Sequence, residues 1–207
     1  TITSKDNEIY CEQGFYNTKT DQSEFIKNAK FSSSGQIIEA DTLRYNQKTA
    51  EGTALRNISI TDTTEKVVLR GNRAFYNEKT GKTLVTENAE MQRQFGKDTL
   101  FLHADTLRSV LDTTSKKRTL LAYHRAQFYK SDFQGRCDSL TFSENDSMMR
   151  LYRDPVIWND DNQLTADTVR IQLANDQLDK LYLIKAGFIS SQVDSLHFNQ
   201  ISGKKIT

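Results

Sequence analysis

The sequence predicts an all-β protein: a stack of bent strand–turn–strand repeats of about 30 residues, folded over an apolar inner face. Three observations carry this. A hexapeptide beginning Ala-Asp-Thr recurs along the chain. A second motif, Asn-Ala-x-Phe or a variant, falls between its copies. The segments that join them alternate in polarity with a period of two and show little helical periodicity.

The first motif marks strand A. Its clear copies are Ala40-Asp41-Thr42-Leu43-Arg44-Tyr45, Ala104-Asp105-Thr106-Leu107-Arg108 and Ala166-Asp167-Thr168-Val169-Arg170-Ile171. Weaker copies start at Cys137 and Val193, degenerate ones at Cys11 and Gly71. Units thus begin near 11, 40, 71, 104, 137, 166 and 193, within one domain covering 1–207. The second motif marks strand B, at Asn28-Ala29-Lys30-Phe31, Asn57-Ile58-Ser59-Ile60, Asn88-Ala89-Glu90-Met91, Arg125-Ala126-Gln127-Phe128, Asp154-Pro155-Val156-Ile157 and Lys185-Ala186-Gly187-Phe188. Seven A strands and six B strands make about 13. Turns separate them at 46–52, 77–82, 112–117, 143–147 and Asn175-Asp176, each rich in residues that cap their own backbone.

The alternation slips phase inside strand A. Large apolar residues stand two before the small first residue (Ile38, Leu69, Leu102, Leu164), then three and five after it (Leu43, Leu107, Leu140; Tyr45, Tyr76, Phe142). A regular strand would put these sets on opposite faces. A bulge at the Asp-Thr pair turns both inward and folds the sheet over a trough. Strand B shows a weaker slip, between Ile26, Leu55, Tyr123, Tyr152 or Leu183 and the Ala-x-Phe positions, with Phe25, Val85 and Leu151 confusing the phase. Counting one strand spacing of about 4.8 Å per unit gives a stack of roughly 30 Å.

Composition excludes several classes. Net charge is +1 with 27% charged residues, which disfavours a nucleic-acid binder. No apolar run reaches the 18 residues of a membrane helix. Two cysteines are too few for a disulfide scaffold, and Cys11 and Cys137 stand in distant units, so both are expected reduced. The chain starts at Thr1 without a signal peptide and ends at Thr207 inside an apolar alternation, and reads as a piece of a longer protein.

Catalytic chemistry is not legible. The recurring aspartates at 41, 105, 138, 167 and 194 read as bend residues satisfying backbone groups, because a site needs one set whereas every layer needs a bend. His103, His124 and His197 lie in different units without ligand spacing, so no metal and no cofactor is expected. Lys116-Lys117-Arg118 reads as a solvated turn, Trp158 as ordinary packing at a core edge, and Pro155 as a bulge or unpaired position.

The tandem Ala-Asp-Thr-Leu-x-Tyr-Asn and Asn-Ala-x-Phe units resemble the OstA-like family, the periplasmic lipopolysaccharide-transport domain shared by LptA, LptC and the N-terminal part of LptD. Residues 102–107 through Ala126-Gln127-Phe128 carry the resemblance best, with Gly71-Asn72 through Asn88-Ala89-Glu90-Met91. It spans about 11–200. The Asp-Thr and Asp-Ser pairs and long polar turns are more similar to the family's Bacteroidetes members.

The resemblance implies a bent β-jellyroll, or β-taco, whose trough carries the acyl chains of lipid A. It implies a Gram-negative periplasmic location, with outer-membrane association, and end-to-end joining with homologous domains by edge-strand pairing, self-association included. The trough-facing residues expected from phase are Leu43, Tyr45, Ile58, Ile60, Tyr76, Met91, Leu107, Phe128, Leu140, Phe142, Ile157, Val169, Ile171, Phe188, Leu196 and Phe198. The chain is then a non-enzymatic lipid conduit. The alternative is a closed-core β-solenoid, structural or adhesive, binding glycans or proteins on its outer faces.

Overall fold

The computed structural model describes residues 1–3, 7–33, 35–112, 114–174 and 177–207. Among them are seventeen strand segments, all in one sheet, and no helix. They are β1 (Ile2–Thr3), β2 (Asn7–Tyr10), β3 (Gln13–Asn17), β4 (Gln22–Ser33), β5 (Gln36–Asn46), β6 (Glu51–Asp62), β7 (Val67–Asn77), β8 (Lys82–Phe95), β9 (Asp98–Leu111), β10 (Arg118–Lys130), β11 (Phe133–Ser143), β12 (Met148–Tyr152), β13 (Val156–Asn159), β14 (Asn162–Thr165), β15 (Thr168–Ala174), β16 (Gln177–Gln192) and β17 (Phe198–Ile206). The all-β class read from the repeats is the one observed.

Three pairs of segments are the two arms of single bent strands. β2 and β3 both bond β4, β12 and β13 both bond β11, and β14 and β15 both bond β16. With β1 as a short addition, the described segments form thirteen bent strands in an antiparallel meander. Every strand runs down one wall, bends, and runs along the other. A unit therefore advances by two strand spacings, not one, and the stack is about 58 Å long, nearly twice the expected length.

The turns are tight because Asn and Asp side chains cap them. The Asn46 side-chain oxygen accepts from the Lys48 and Thr49 amides, Asn77 from Thr80, and Asp62 from Thr64 and Glu65. This is the Asx chemistry expected of those residue types. The turn at Asn175-Asp176 lies outside the described residues, as does Thr113 in the 112–117 turn.

The bend is built mainly by strand B. Consecutive residues have positive φ at Lys27-Asn28, Arg56-Asn57, Glu87-Asn88, Arg153-Asp154 and Lys185-Ala186. The ladder shifts register at these places, as between Ile26 and Ala29 and between Leu55 and Ile58. In β10 a cis peptide joins Tyr123 and His124, and Arg125 has φ +54°. Left-handed backbone costs about 1 kcal/mol or more for a residue with a Cβ, least for Asn, so side chains must hold it in place.

The repeated acidic residues do this. Asp41 accepts from Arg56 (3.2 Å) and Asn57 (3.1 Å), Asp105 from Arg125 (2.7 Å), and Asp138 from Arg153 (3.2 Å), with His124 3.0 Å away. In the first unit Glu12 takes the role, accepting from Asn28 at 2.9 Å. The expectation that the acids satisfy local backbone at each bend is corrected for Asp41, Asp105 and Asp138: they tie the outer elbow of one strand to the strained residues of the next. Asp194 alone among them is seen capping its own turn, accepting from the amides of Leu196 and His197.

Inside the crease runs a row of small residues: Ala29 against Ala40, Ile58 against Gly71, Ala89 against Ala104, Ala126 against Cys137, Gly187 against Gly203. The walls come together here, leaving little room for side chains. A Cβ on Gly71 would sit 2.5 Å from Val85 Cγ1 and 2.9 Å from the Thr86 carbonyl oxygen. Its absence makes space beside Ile58, the largest crease residue.

Gly71→Ala is expected to cost about 1–3 kcal/mol through overpacking, read as a lower urea midpoint, and the loss should be less than additive with Val85→Ala, which removes the clashing methyl.

Candidate functional site: the trough between the walls

Register pairs place the interior residues in ladders that run from strand to strand. On the first wall the ladder reads Ile9, Phe31, Ile38, Ile60, Leu69, Met91, Leu102, Phe128, Gly135, Ile157, Leu164, Ile189, Ile201. On the second it reads Gly14, Phe25, Leu43, Ala54, Ala74, Val85, Leu107, Ala122, Leu140, Leu151, Val169, Leu183, Ile206. Nearer the second wall's rim lie Tyr45, Gly52, Tyr76, Thr83, Ser109, Leu120, Phe142, Met149 and Ile171. No polar residue interrupts either main ladder from β2 or β3 to β17.

Of the residues expected in the trough, Ile58, Met91, Leu107, Phe128, Leu140, Ile157, Val169 and Ile171 are buried in one cluster shared by both walls. Leu43, Ile60 and Phe142 are half-buried and pack against it. Tyr45 and Tyr76 are half-buried at the rim. The Tyr45 hydroxyl donates to Glu78 at 2.8 Å; burial and then this bond push its phenol up to about 12.

Three expected positions are corrected. Phe188 pairs with Thr165 and Ser202, in the outward row, and its neighbour Ile189 turns inward against Leu164. The cause is a one-residue offset in the last B strand: the positive-φ pair is Lys185-Ala186, so Gly187 takes the crease position that Ala29 holds in the first. Leu196 is 81% exposed, in the loop before β17, and Phe198 is 55% exposed at the start of that strand. The final A strand is therefore β17 itself, with Ile201, Gly203 and Ile206 at the offsets of Ile38, Ala40 and Leu43, and the Val193 copy of the motif is a turn. Trp158 also lies on the outer face, half-buried, donating to Gln163 at 3.0 Å with Arg136 beside its ring.

Several interior residues stand outside the expected set. Leu69 and Leu102 share the −2 phase already identified in strand A. Phe25, Val85, Leu151 and Leu183 fall four before the crease residue of strand B, a spacing that reads as ordinary alternation and gives no sign of the left-handed pair between.

The trough is packed at its centre and open toward the N-terminal end. Leu102, Leu107, Leu140, Leu151, Ile157, Val169, Ile171 and Leu183 are all at or below 2% exposed, whereas the inward residues Ile9, Phe25, Phe31, Ile38 and Leu43 are left half-buried. At mid-length a cavity of about 110 Å³ remains between the walls, lined by Ile60, Val67, Leu69, Met91, Leu100, Leu102, Leu120, Leu140, Phe142, Met149 and Leu173. Its mouth is polar, with Gln36, Asp62, Glu65, Arg93, Arg118 and Glu144. Arg93 on the first wall reaches Glu144 beyond the second at 3.6 Å, and its guanidinium lies 5.7 Å from the centre of the Phe142 ring. Glu144 also accepts from the Arg118 amide at 2.6 Å.

Both cysteines are free, Cys137 buried in the crease and Cys11 half-buried. Cys137 donates to the Ser139 carbonyl at 3.2 Å, and burial pushes its thiol up to about 12. Among the described residues no group of three or more His, Cys, Asp or Glu is placed to hold a metal ion.

No family model matches the chain, and no curated protein matches it. Among solved structures it is similar to LptH of Pseudomonas aeruginosa, the LptA-homologous periplasmic component of that organism's lipopolysaccharide transport device, at 7% identity and a TM-score of 0.34, over 71% of this chain and 82% of that one. A likeness of that size says nothing of ligand or role.

The raised Cys137 pKa makes a signed prediction. The unfolded chain loses this proton near 9 and the folded chain near 12, so the folded state binds more protons in between. Stability should fall from about pH 9 to pH 12. Cys137→Ala should flatten that fall in alkaline urea titrations, and at pH 8 a thiol reagent should label Cys11 well before Cys137.

Proposed function

We propose that this chain is a non-enzymatic lipid carrier of the Gram-negative periplasm, which shields the acyl chains of lipopolysaccharide between its two walls. Its sugars stay in water beyond the polar rims. Similar folded sheets join it edge to edge, as part of a bridge to the outer membrane. The observation that supports this best is the pair of apolar ladders, unbroken from the first bent strand to the last. Acyl burial is worth about 0.8 kcal/mol per CH₂ and needs no specific contact, so a continuous apolar strip lets a chain slide without a deep minimum at any step. Nothing in the strip does chemistry, and the driving force comes from elsewhere.

Both ends of the stack suit edge joining. β17 bonds only β16, and β3 bonds only β4, among the described residues. Their outer edges carry free donors and acceptors, which a further strand satisfies. Val193, Leu196, Phe198 and Ile201 are exposed at one end and Tyr10, Phe15 and Tyr16 at the other.

The packed centre favours a second reading, a closed-core structural or adhesive module. An apolar cavity of roughly 150 Å³ takes one benzene-sized ligand, and this one is smaller. Carrying lipid therefore requires the walls to part.

A photoreactive residue separates the two readings. Placed at Phe142 in Gram-negative cells, it is expected to crosslink to lipopolysaccharide, and at the exposed outward position Arg44 it is not. A folded protein giving no lipid adduct at 142 supports the closed module.

A further inference from the structure

Resting on the lipid-carrier reading, we infer that the Arg93–Glu144 ion pair is a latch that holds the trough shut at mid-length, and that acyl chains enter sideways there when it opens. The walls are continuous at the crease, where backbone joins them. At the opposite rim they are joined only by side chains. Among the described residues, the other ion pairs link neighbouring strands, the outer elbows, or groups close in sequence. Arg93 to Glu144 is the ion pair that passes from one wall to the other.

The geometry suits a strap. Arg93 is on β8 and also faces Glu65 at 3.9 Å on its own wall. Glu144 sits in the turn after β11, held by the Arg118 amide. Arg118 in turn donates to Ser109 at 3.2 Å, which braces the second wall's rim. The Arg93 guanidinium lies beside the Phe142 ring, so its stem and head roof the cavity. The two side chains are 20% and 24% exposed, which shields the pair from water and salt more than a surface pair.

The charges of the mouth also say what this place is not. Its lining carries Arg93 and Arg118 against Asp62, Glu65 and Glu144. The acids outnumber the arginines, so the mouth offers no excess positive charge for an anionic head group. Its ion pairs satisfy each other and hold the walls together. Releasing one pair uncovers Leu69, Met91, Leu140 and Phe142, a strip already apolar and already underpacked.

The test is equilibrium binding of a neutral apolar fluorophore, N-phenyl-1-naphthylamine, and of dodecanol as competitor, to the whole chain. Glu144→Gln keeps the shape and the acceptor for the Arg118 amide but removes the charge facing Arg93. It is expected to raise fluorophore affinity about fivefold, the size a pair of this exposure supports, with an unchanged far-ultraviolet spectrum. Salt at 1 M, where the screening length is about 3 Å, should raise wild-type binding and leave Glu144→Gln unmoved. Equal, dodecanol-displaceable binding by wild type and Glu144→Gln would overturn the latch and leave the carrier standing. No binding by any variant would overturn the carrier and the latch together.

Discussion

A sheet of thirteen strands that folds back on itself must bend every strand at the same height. That requirement governs the rest of this molecule. Strand B bends by placing two residues in left-handed backbone, and strand A follows with a slip of phase. Inside the crease only Ala, Gly, Cys, Pro and a single Ile fit. Outside it, acids from one strand grip the strained residues of the next. Asp105 shows the strength of that grip: the bond from Arg125 holds its carboxyl below the ordinary range.

The crease also decides what the interior can be. It sets two walls face to face with their large side chains directed at each other. Where both walls carry Leu, Ile and Val, as from Leu102 to Leu183, they pack closely and leave only the small mid-length cavity between them. Toward the N-terminal end Phe25, Phe31, Ile38 and Leu43 are left half-buried and the trough gapes. The same construction thus yields a core at one place and a groove at another. Moving between those states requires only rotation about the crease, since neither main ladder contains a hydrogen-bonding side chain that must be re-paired. Opposing side chains at the rim then carry the control.

Much of this was legible in the residues. The −2, 0, +3 and +5 offsets of strand A named its inward set and located its bend, because the small crease residue and the large flanking ones recur together. Strand B was less legible: two left-handed residues leave Phe25 and Ala29 on the same side at a spacing that reads as ordinary alternation, and hide the bend. Phe188 went wrong for a related reason, since Lys185-Ala186-Gly187-Phe188 imitates the motif while its left-handed pair sits one residue later. Val193-Asp194-Ser195-Leu196 imitates strand A but serves as a turn. The cross-wall contact of Arg93 with Glu144 had no signal, for it joins residues of different units with no shared spacing.

The most direct measurement is the distance between the walls. Nitroxide labels at Phe101 and Arg108 place one probe on each arm of β9, in a Cys11→Ser background where Cys137 stays buried. Pulsed electron resonance with and without lipid A then reads the angle of the crease. Acyl chains held between the walls predict a longer distance when lipid A binds. Lipid A bound in stoichiometric amount with the distance unchanged would contradict the account, since the packed centre leaves acyl chains no room unless the walls part.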